Sequence, residues 1–165
     1  MTHHFLDRAG RKVTHHVKMV FIPGLHIEDR HEQSEKKLLE FLRGDDCSDL
    51  VVRVCHAAEY NKVHSHELVS QFLREMHIAD IAVVIIHQKL SPGQLIALTV
   101  AFMEMMPVIL IKDSESEIHV PDLVTDFLHS SGMKSLILQG KPGDEETFAR
   151  DIYQFSASMI ERTAL

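Results

Sequence analysis

Short, uninterrupted runs of β-branched and other apolar residues recur along the chain and predict strands. Residues 82–86 (AVVII) and 107–111 (PVILI) have the pattern typical of strands buried on both faces of a parallel sheet. Comparable runs predict strands at Val17–Ile22 (VKMVFI), Leu50–Val54 and residues 135–138. We therefore expect a sheet of five parallel strands.

Between these runs, apolar residues recur at helical spacing and predict helices. The predicted helices span residues 32–43, 67–77, 93–106 and 122–130, and a last one begins near residue 144. The alternation implies an α/β fold, a single doubly wound, Rossmann or flavodoxin-like domain with a five-stranded parallel sheet of order 2-1-3-4-5 and helices on both faces. We assign residues 17–165 to this domain and residues 1–16 to a polar, histidine-containing N-terminal arm.

Composition and charge narrow the classes of function. The 165 residues are 45% hydrophobic and 25% charged, which fits one globular domain. A formal charge of −7 and a pI near 6.0 argue against a nucleic-acid partner, which would require a basic stripe. The chain has no apolar run of about 18 residues and a polar start, so we expect no membrane partner and a cytoplasmic location. Cys47 and Cys55 are expected to be free thiols.

Histidine is unusually frequent, with 13 residues in the chain. His64 and His66 form an H-x-H pair, and Cys55 and His56 precede the pair by eight residues, so a zinc or nickel site was considered. Residues two apart on a helix do not share a face, and the chain has no H-E-x-x-H motif. We therefore predict neither a metal site nor a cofactor.

In an open sheet of this order, ligands bind outside the carboxyl ends of the strands, at the switch point between the first and third strands. Ser91 can cap the following helix, and Gly93 allows an anion or a sugar to approach the helix N–H groups, although such a motif also simply starts a helix. The residues predicted to bind a ligand at this edge are Gly24, Leu25, His26, His56, His87, Ser91, Gly93 and Lys112.

Two segments resemble the nucleoside 2-deoxyribosyltransferase-like superfamily. VFIPGL at residues 20–25 resembles its first-strand signature. ADIAVVII, the S-x-G turn, the helix and PVILI are similar to its third strand, glycine turn, catalytic helix and fourth strand, so the resemblance spans residues 17–112. It implies cleavage or transfer of the N-glycosidic bond of nucleosides or nucleotides, with a helix glutamate attacking the anomeric carbon. If Gly93 matches the glycine of the turn, this glutamate falls at Ala97.

Alanine offers no nucleophile, so at this position the chain departs from the pattern of the superfamily. The hypotheses about its function differ in how they account for this departure. We favour a catalytically silent member that binds a nucleoside or nucleotide-like small molecule, or uses the fold as an interaction module. The alternative is an active N-glycosidase or transferase with a relocated acid, with His26 or His87 as the proton-transfer group. The acids considered for that role are Glu59, Glu67 and Asp113.

Two other classes share this layout. A Toll/interleukin-receptor-like domain, acting through assembly or NAD cleavage, would require Glu67 or Glu75 at the pocket. A phosphorylation receiver domain requires an acidic pair after the first strand and an aspartate after the third. The sequences IPGLH and HQK at these positions supply neither.

The predicted helix over residues 93–106 is apolar almost all the way round. Because a helix of a doubly wound domain covers only one face of the sheet, its outer side would remain exposed. We therefore expect a homodimer built partly on this helix, and burial beneath neighbouring helices is the alternative.

Overall fold

A five-stranded parallel sheet forms the centre of the computed structural model, which describes residues 5–6, 12–13, 16–26, 28–56, 66–87, 90–113, 126, 134–141 and 143–163. Two short strands, β1 (Phe5–Leu6) and β2 (Lys12–Val13), pair in an antiparallel ribbon within the N-terminal arm. The sheet strands are β3 (Val17–Ile22), β4 (Leu50–Val54), β5 (Ile81–Ile86), β6 (Val108–Asp113) and β7 (Ser135–Gly140). The helices are α1 (Asp29–Leu42), α2 (His66–Ile78), α3 (Pro92–Met103) and α4 (Glu145–Thr163).

The strand order is β4-β3-β5-β6-β7, which is the predicted 2-1-3-4-5 when the five strands are counted along the chain. All four pairings are parallel. β3 lies between β4 and β5, so the switch point falls where predicted. The doubly wound α/β fold is confirmed.

Each strand sends alternate side chains into two separate apolar layers. On β5, Val83 and Ile85 pack with the layer that includes α1 and α4. Val84 and Ile86 pack with the layer that includes α2 and α3. The central strand β5 is therefore buried on both faces along its whole length, which accounts for its continuous apolar sequence.

Helix boundaries differ from the predicted ones by a few residues. Helix α1 begins three residues earlier than predicted, because the imidazole Nδ1 of His31 accepts a hydrogen bond of 3.4 Å from the backbone N–H of Glu28 at the N-cap. Helix α3 ends at Met103 rather than at residue 106, and Met105 follows with a φ of 55°. The predicted helix over residues 122–130 lies outside the described residues, except Asp126, which is helical.

The outer side of α3 is exposed, as expected for a helix that covers one face of the sheet. Ala97, Leu98 and Ala101 face the core, whereas Met103 is 80% exposed and Ile96 is 54% exposed. This finding excludes complete burial of α3 within the described part of the monomer. None of the helices in the described ranges has both the length and the apolar character needed to cross a membrane.

Candidate functional site

Helix α1 carries two polar residues on its buried face. His31 and Glu35 lie one helical turn apart, in line with Leu38 and Leu42, and all four are buried. Leu38 and Leu42 pack in the apolar layer beneath the sheet. The same face therefore continues from the core to polar groups at the carboxyl edge of the strands.

The Glu35 carboxylate receives hydrogen bonds from both strands at the switch point. The backbone N–H of Gly24, which follows β3, donates to Oε1 over 2.9 Å. His87 Nε2, directly after β5, lies 2.7 Å from the same oxygen, and His26 Nε2 contacts Oε2. Because a carboxylate only accepts, both Nε2 atoms carry hydrogen in this arrangement. We call His26, Glu35 and His87 the Glu35 cluster.

The Glu35 cluster ranges from buried to partly exposed. The side chains of Glu35 and His87 are only 6% and 7% exposed, whereas that of His26 is 33% exposed. Gly24 allows this close packing, because a Cβ atom there would lie 2.7 Å from His87 Cδ2 and 2.7 Å from the carbonyl oxygen of Ile85. An imidazole that is bonded to a buried carboxylate and reaches solvent has the arrangement of a general acid or base.

His31 extends this polar group toward β6. Its ring stacks on His87 with centroids 4.2 Å apart and planes at 8°. Burial lowers the pKa of His31, and the neighbouring His87 lowers it further. His31 is therefore neutral near pH 7. Because Nδ1 accepts from the chain, Nε2 carries the hydrogen and lies 3.8 Å from Asp113 Oδ2.

The start of α3 is fixed to the same edge by two buried side chains. The hydroxyl of Ser91 accepts from Gln94 N over 3.1 Å, and Gln94 Oε1 accepts from Ser91 N over 3.0 Å, which forms a capping box. Gln94 Nε2 donates to the carbonyl of Ile85 over 2.5 Å and lies 3.4 Å from the carbonyl of Pro23. Gln94 therefore joins the ends of β3 and β5, from which His26 and His87 extend.

A cavity of about 40 Å³ adjoins these groups between α1, α4 and the ends of β5, β6 and β7. A water molecule requires about 10–15 Å³ of such space, so the cavity has room for a few waters. Burial alone would raise the pKa of Glu145, but hydrogen bonds from backbone N–H groups and from Ser34 hold it below its usual value. The polar residues that line the cavity include Arg30, His31, Ser34, His87, Lys112 and Glu145.

The predicted ligand-binding residues fall into three groups. Gly24, His26 and His87 meet at the Glu35 cluster, and half-buried Leu25 lies between the first two. Ser91 and Gly93 are buried at the start of α3, and Lys112 lines the cavity. His56 is exposed after the edge strand β4.

Three acids were proposed from the sequence for a relocated active site. Glu59 and the side chain of Glu67 are outside the part of the chain that the structure describes. Asp113 lies beside the Glu35 cluster, because one of its carboxylate oxygens is 3.8 Å from His31 Nε2 and within 4.8 Å of a ring nitrogen of His87. Glu75, which the Toll/interleukin-receptor-like alternative would require, pairs instead with Arg53 on β4 at 3.3 Å.

Sequence reasoning missed Glu35, His31 and Gln94. Two signals were available. Glu35 and His31 lie three and seven residues before Leu38, which puts them on the apolar stripe of their helix. The Ser-x-x-Gln spacing of residues 91 and 94 is a capping-box signature.

Comparisons with known proteins support the fold. No family model matches the chain, and no curated protein matches it. The metal-soaked Flv1 flavodiiron core from Synechocystis sp. PCC6803 is similar in structure, with a TM-score of 0.59 and 9% identity over 89% of this chain. This chain spans 36% of that protein's length. A putative quinone reductase from Klebsiella pneumoniae has a TM-score of 0.43 and 10% identity, over 88% of this chain and 84% of its own. The similarity to the Flv1 core agrees with a doubly wound, flavodoxin-like α/β domain.

Proposed function

We propose that the chain binds a nucleoside or nucleotide-like small molecule in the crevice at the carboxyl ends of β3 and β5, without the usual glycosidase chemistry. The observation that most directly supports this proposal is the group of polar side chains at the switch point of a mainly apolar sheet. His26 and His87 lie there around Glu35. Open α/β sheets bind ligands at this position, and a few convergent polar groups in apolar surroundings are typical of a ligand site.

The surroundings of Ala97 support a binding role rather than the chemistry that the resemblance implies. Ala97 is 0% exposed and packs in the core with Val84 and Ile86. Because its methyl group lies in this apolar layer, the expected nucleophile position carries neither a carboxylate nor an opening to the crevice.

The size of the cavity determines how such a ligand would lie. A space for a few waters cannot enclose a nucleoside, so the sugar and base would lie in the open crevice beside His26. Only a small polar group would enter the cavity. Arg30 and Lys112 line the cavity and supply positive charge for a phosphate.

The test is titration of the pure protein with nucleosides, deoxynucleotides and NAD, by calorimetry and ligand-observed NMR. We expect binding of at least one compound and no released base in a chromatogram of the same sample. Lys112→Gln should weaken a phosphate-bearing ligand about tenfold or more, since hydrogen bonds to charged groups contribute about 1.5–3 kcal/mol. Lys36→Gln is the matched control, because Lys36 is exposed on α1 and pairs with Glu32. Absence of binding across the panel would contradict the proposal.

An active N-glycosidase or transferase with a relocated acid is the second candidate. The observation that favours it is the pairing of a buried carboxylate, Glu35, with the solvent-reaching imidazole of His26. If this candidate is right, one compound of the panel releases its base. Glu35→Gln then abolishes the release while circular dichroism and the unfolding midpoint indicate a folded chain. The Toll/interleukin-receptor-like alternative would require NAD cleavage that depends on Glu67 or Glu75.

We also propose that two chains associate through the outer side of α3. Leu95, Ile96, Met103 and Met105 are exposed on or beside this helix, and exposed apolar patches often mark protein interfaces. Light scattering after gel filtration should give a dimer, and the double variant Ile96→Gln, Met103→Gln should give a monomer. Val51→Thr is the control, because Val51 is an exposed apolar residue on β4. A wild-type monomer at high protein concentration would refute the proposal.

A further inference from the structure

The Glu35 cluster is a compact set of metal-ligating atoms. His26, Glu35 and His87 each offer one ligand atom, and these three atoms lie within 4.8 Å of one another. Two imidazole nitrogens and a carboxylate are a donor set that suits borderline divalent ions such as Zn²⁺ and Co²⁺. We propose that this cluster binds one divalent transition-metal ion through His26 Nε2, His87 Nε2 and Glu35. The proposal stands independently of the nucleotide ligand proposed above.

The distances in the cluster require only a small adjustment. Ligand atoms about 2.1 Å from a tetrahedral ion lie roughly 3.4 Å from one another. His87 Nε2 is 2.7 Å from Glu35 Oε1, and the distance between His26 Nε2 and Glu35 Oε2 is shorter than this. The imidazoles would therefore withdraw by about 1 Å or less to admit an ion. His26 lies in a loop and is one-third exposed, so it has room to move toward solvent.

The donor set also determines the class of ion. Mg²⁺ and Ca²⁺ prefer oxygen ligands, and two imidazoles make this cluster unfavourable for them. Three protein ligands leave at least one coordination position for water or for a polar group of a ligand. Because His26 is the exposed member, we expect this position to lie on the solvent side of the cluster.

Neighbouring groups hold the ligands in place. The backbone N–H of Gly24 donates to Glu35 Oε1 and orients the carboxylate. Gln94 holds the carbonyl of Ile85 two residues before His87, and its amide lies near the carbonyl of Pro23 three residues before His26. The bond from Gly24 is a second-sphere hydrogen bond, since it reaches a ligand directly, and loss of such bonds typically weakens metal affinity by about 10–100-fold.

Metal binding would change the protonation of both rings in a defined way. In the metal-free arrangement, an imidazole that donates to the Glu35 carboxylate carries a hydrogen on Nε2. An ion bound through Nε2 takes the lone pair of that nitrogen, so the bound ring carries its hydrogen on Nδ1 and none on Nε2. The tautomers of His26 and His87 can therefore be measured as a second sign of metal binding, in addition to the affinity.

The experiment titrates the full-length, metal-stripped chain with Co²⁺ and Zn²⁺. Calorimetry gives the affinity, Co²⁺ d–d absorption gives the coordination, and long-range ¹H–¹⁵N spectra of the imidazoles give the tautomers. The variants are His26→Gln and Glu35→Gln. His77→Gln is the matched control, because the side chain of His77 is 73% exposed in the last turn of α2. His26→Gln is the primary variant, since its side chain is partly exposed and its replacement should leave the fold intact.

We expect the wild type and His77→Gln to bind one equivalent of the ion. His26→Gln should bind it more than about 100-fold more weakly, because loss of a direct ligand weakens binding more than loss of a hydrogen-bonded neighbour does. We also expect the resonances of His26 and His87 to change from the Nε2–H to the Nδ1–H form. Equal binding by wild type and His26→Gln would overturn the proposal. So would retention of both Nε2–H tautomers in the presence of the ion.

A second set of donors provides a further discrimination. His31, His87 and Asp113 also lie within 4.8 Å of one another through one ligand atom each. His31→Gln removes a ligand from that set and none from the Glu35 cluster. If His31→Gln no longer binds the metal ion while His26→Gln still binds it, the assignment to the Glu35 cluster is wrong.

Discussion

Gly24→Ala tests whether the two strand ends are packed as closely as the Glu35 cluster requires. An added Cβ would lie 2.7 Å from His87 Cδ2 and 2.7 Å from the carbonyl oxygen of Ile85. Ordinary contacts of a Cβ atom are 3.4–4 Å, so both neighbours would have to move by about 0.7 Å or more. The backbone oxygen belongs to the central strand β5 and cannot move without disturbing the sheet.

Overpacking of this kind typically costs about 1–3 kcal/mol. Alanine at a position whose backbone suits it would otherwise stabilise a chain by about 0.4–1 kcal/mol through the unfolded state, so the sign of the effect is informative. We expect the free energy of unfolding to fall by about 1–3 kcal/mol. For a domain of this size, that loss corresponds to a decrease in Tm of about 2–12 °C.

Urea denaturation and differential scanning calorimetry measure the change. Gly44→Ala is the matched control, because the nearest atom to its Cβ would be the carbonyl oxygen of Phe41 at 3.3 Å. We expect the control to change stability by no more than about 0.5 kcal/mol. A Gly24→Ala chain as stable as the wild type would refute the close packing of His87 against the Gly24 turn.

The remaining predictions concern groups that position this edge or lie beneath it. Ser91→Ala should lower the free energy of unfolding by about 1 kcal/mol in urea, because it removes the cap of α3. Gln94→Leu should lower it by about 1–3 kcal/mol by leaving the buried carbonyl of Ile85 without this donor, and unchanged stability would contradict that role. Burial, together with the hydrogen bond to Asp49, raises the pKa of Tyr153 to about 12. The folded state therefore holds this proton more tightly than the unfolded chain does. The contribution of Tyr153 to the free energy of unfolding should be fully present below pH 10 and should fall as the pH rises toward 12. Tyr153→Phe should remove this decrease.

The strands were predictable from their apolar runs, most clearly at β5, which is buried on both faces. Val17–Ile22 and Leu50–Val54 have the predicted bounds, and the other three strands differ by one to a few residues at their ends. A strand packed between two helical layers is apolar at nearly every position, and this requirement is directly visible in the sequence. Strand order followed from the alternation with helices and the preference for right-handed crossovers.

The starts of α2, α3 and α4 lie within one residue of the predicted ones, whereas the start of α1 was less predictable because a side chain sets it rather than the apolar periodicity. Helix α1 begins at Asp29, before its apolar stripe, and His31 supplies the acceptor at its N-terminus. Histidine is not among the usual capping residues, so the pattern gave no start signal there.

The candidate site was predictable only for the residues that directly follow strands. Gly24, His26 and His87 were found because topology alone places the carboxyl ends of β3 and β5 side by side. Glu35 was not found, because it reaches this edge from the second turn of α1, 52 residues from His87 along the chain. No spacing motif connects residues that three separate segments contribute.

A polar residue on the apolar face of a helix is nevertheless a signal of its own. Burying a carboxylate is costly unless several donors satisfy it, and Glu35 is buried with donors from Gly24, His26 and His87. A leucine could have continued the stripe of Leu38 and Leu42 at no such cost. Because packing alone does not require Glu35, we include it in the proposed site. In a doubly wound sheet, the informative positions are therefore those that break the apolar pattern of a helix one or two turns from the carboxyl edge.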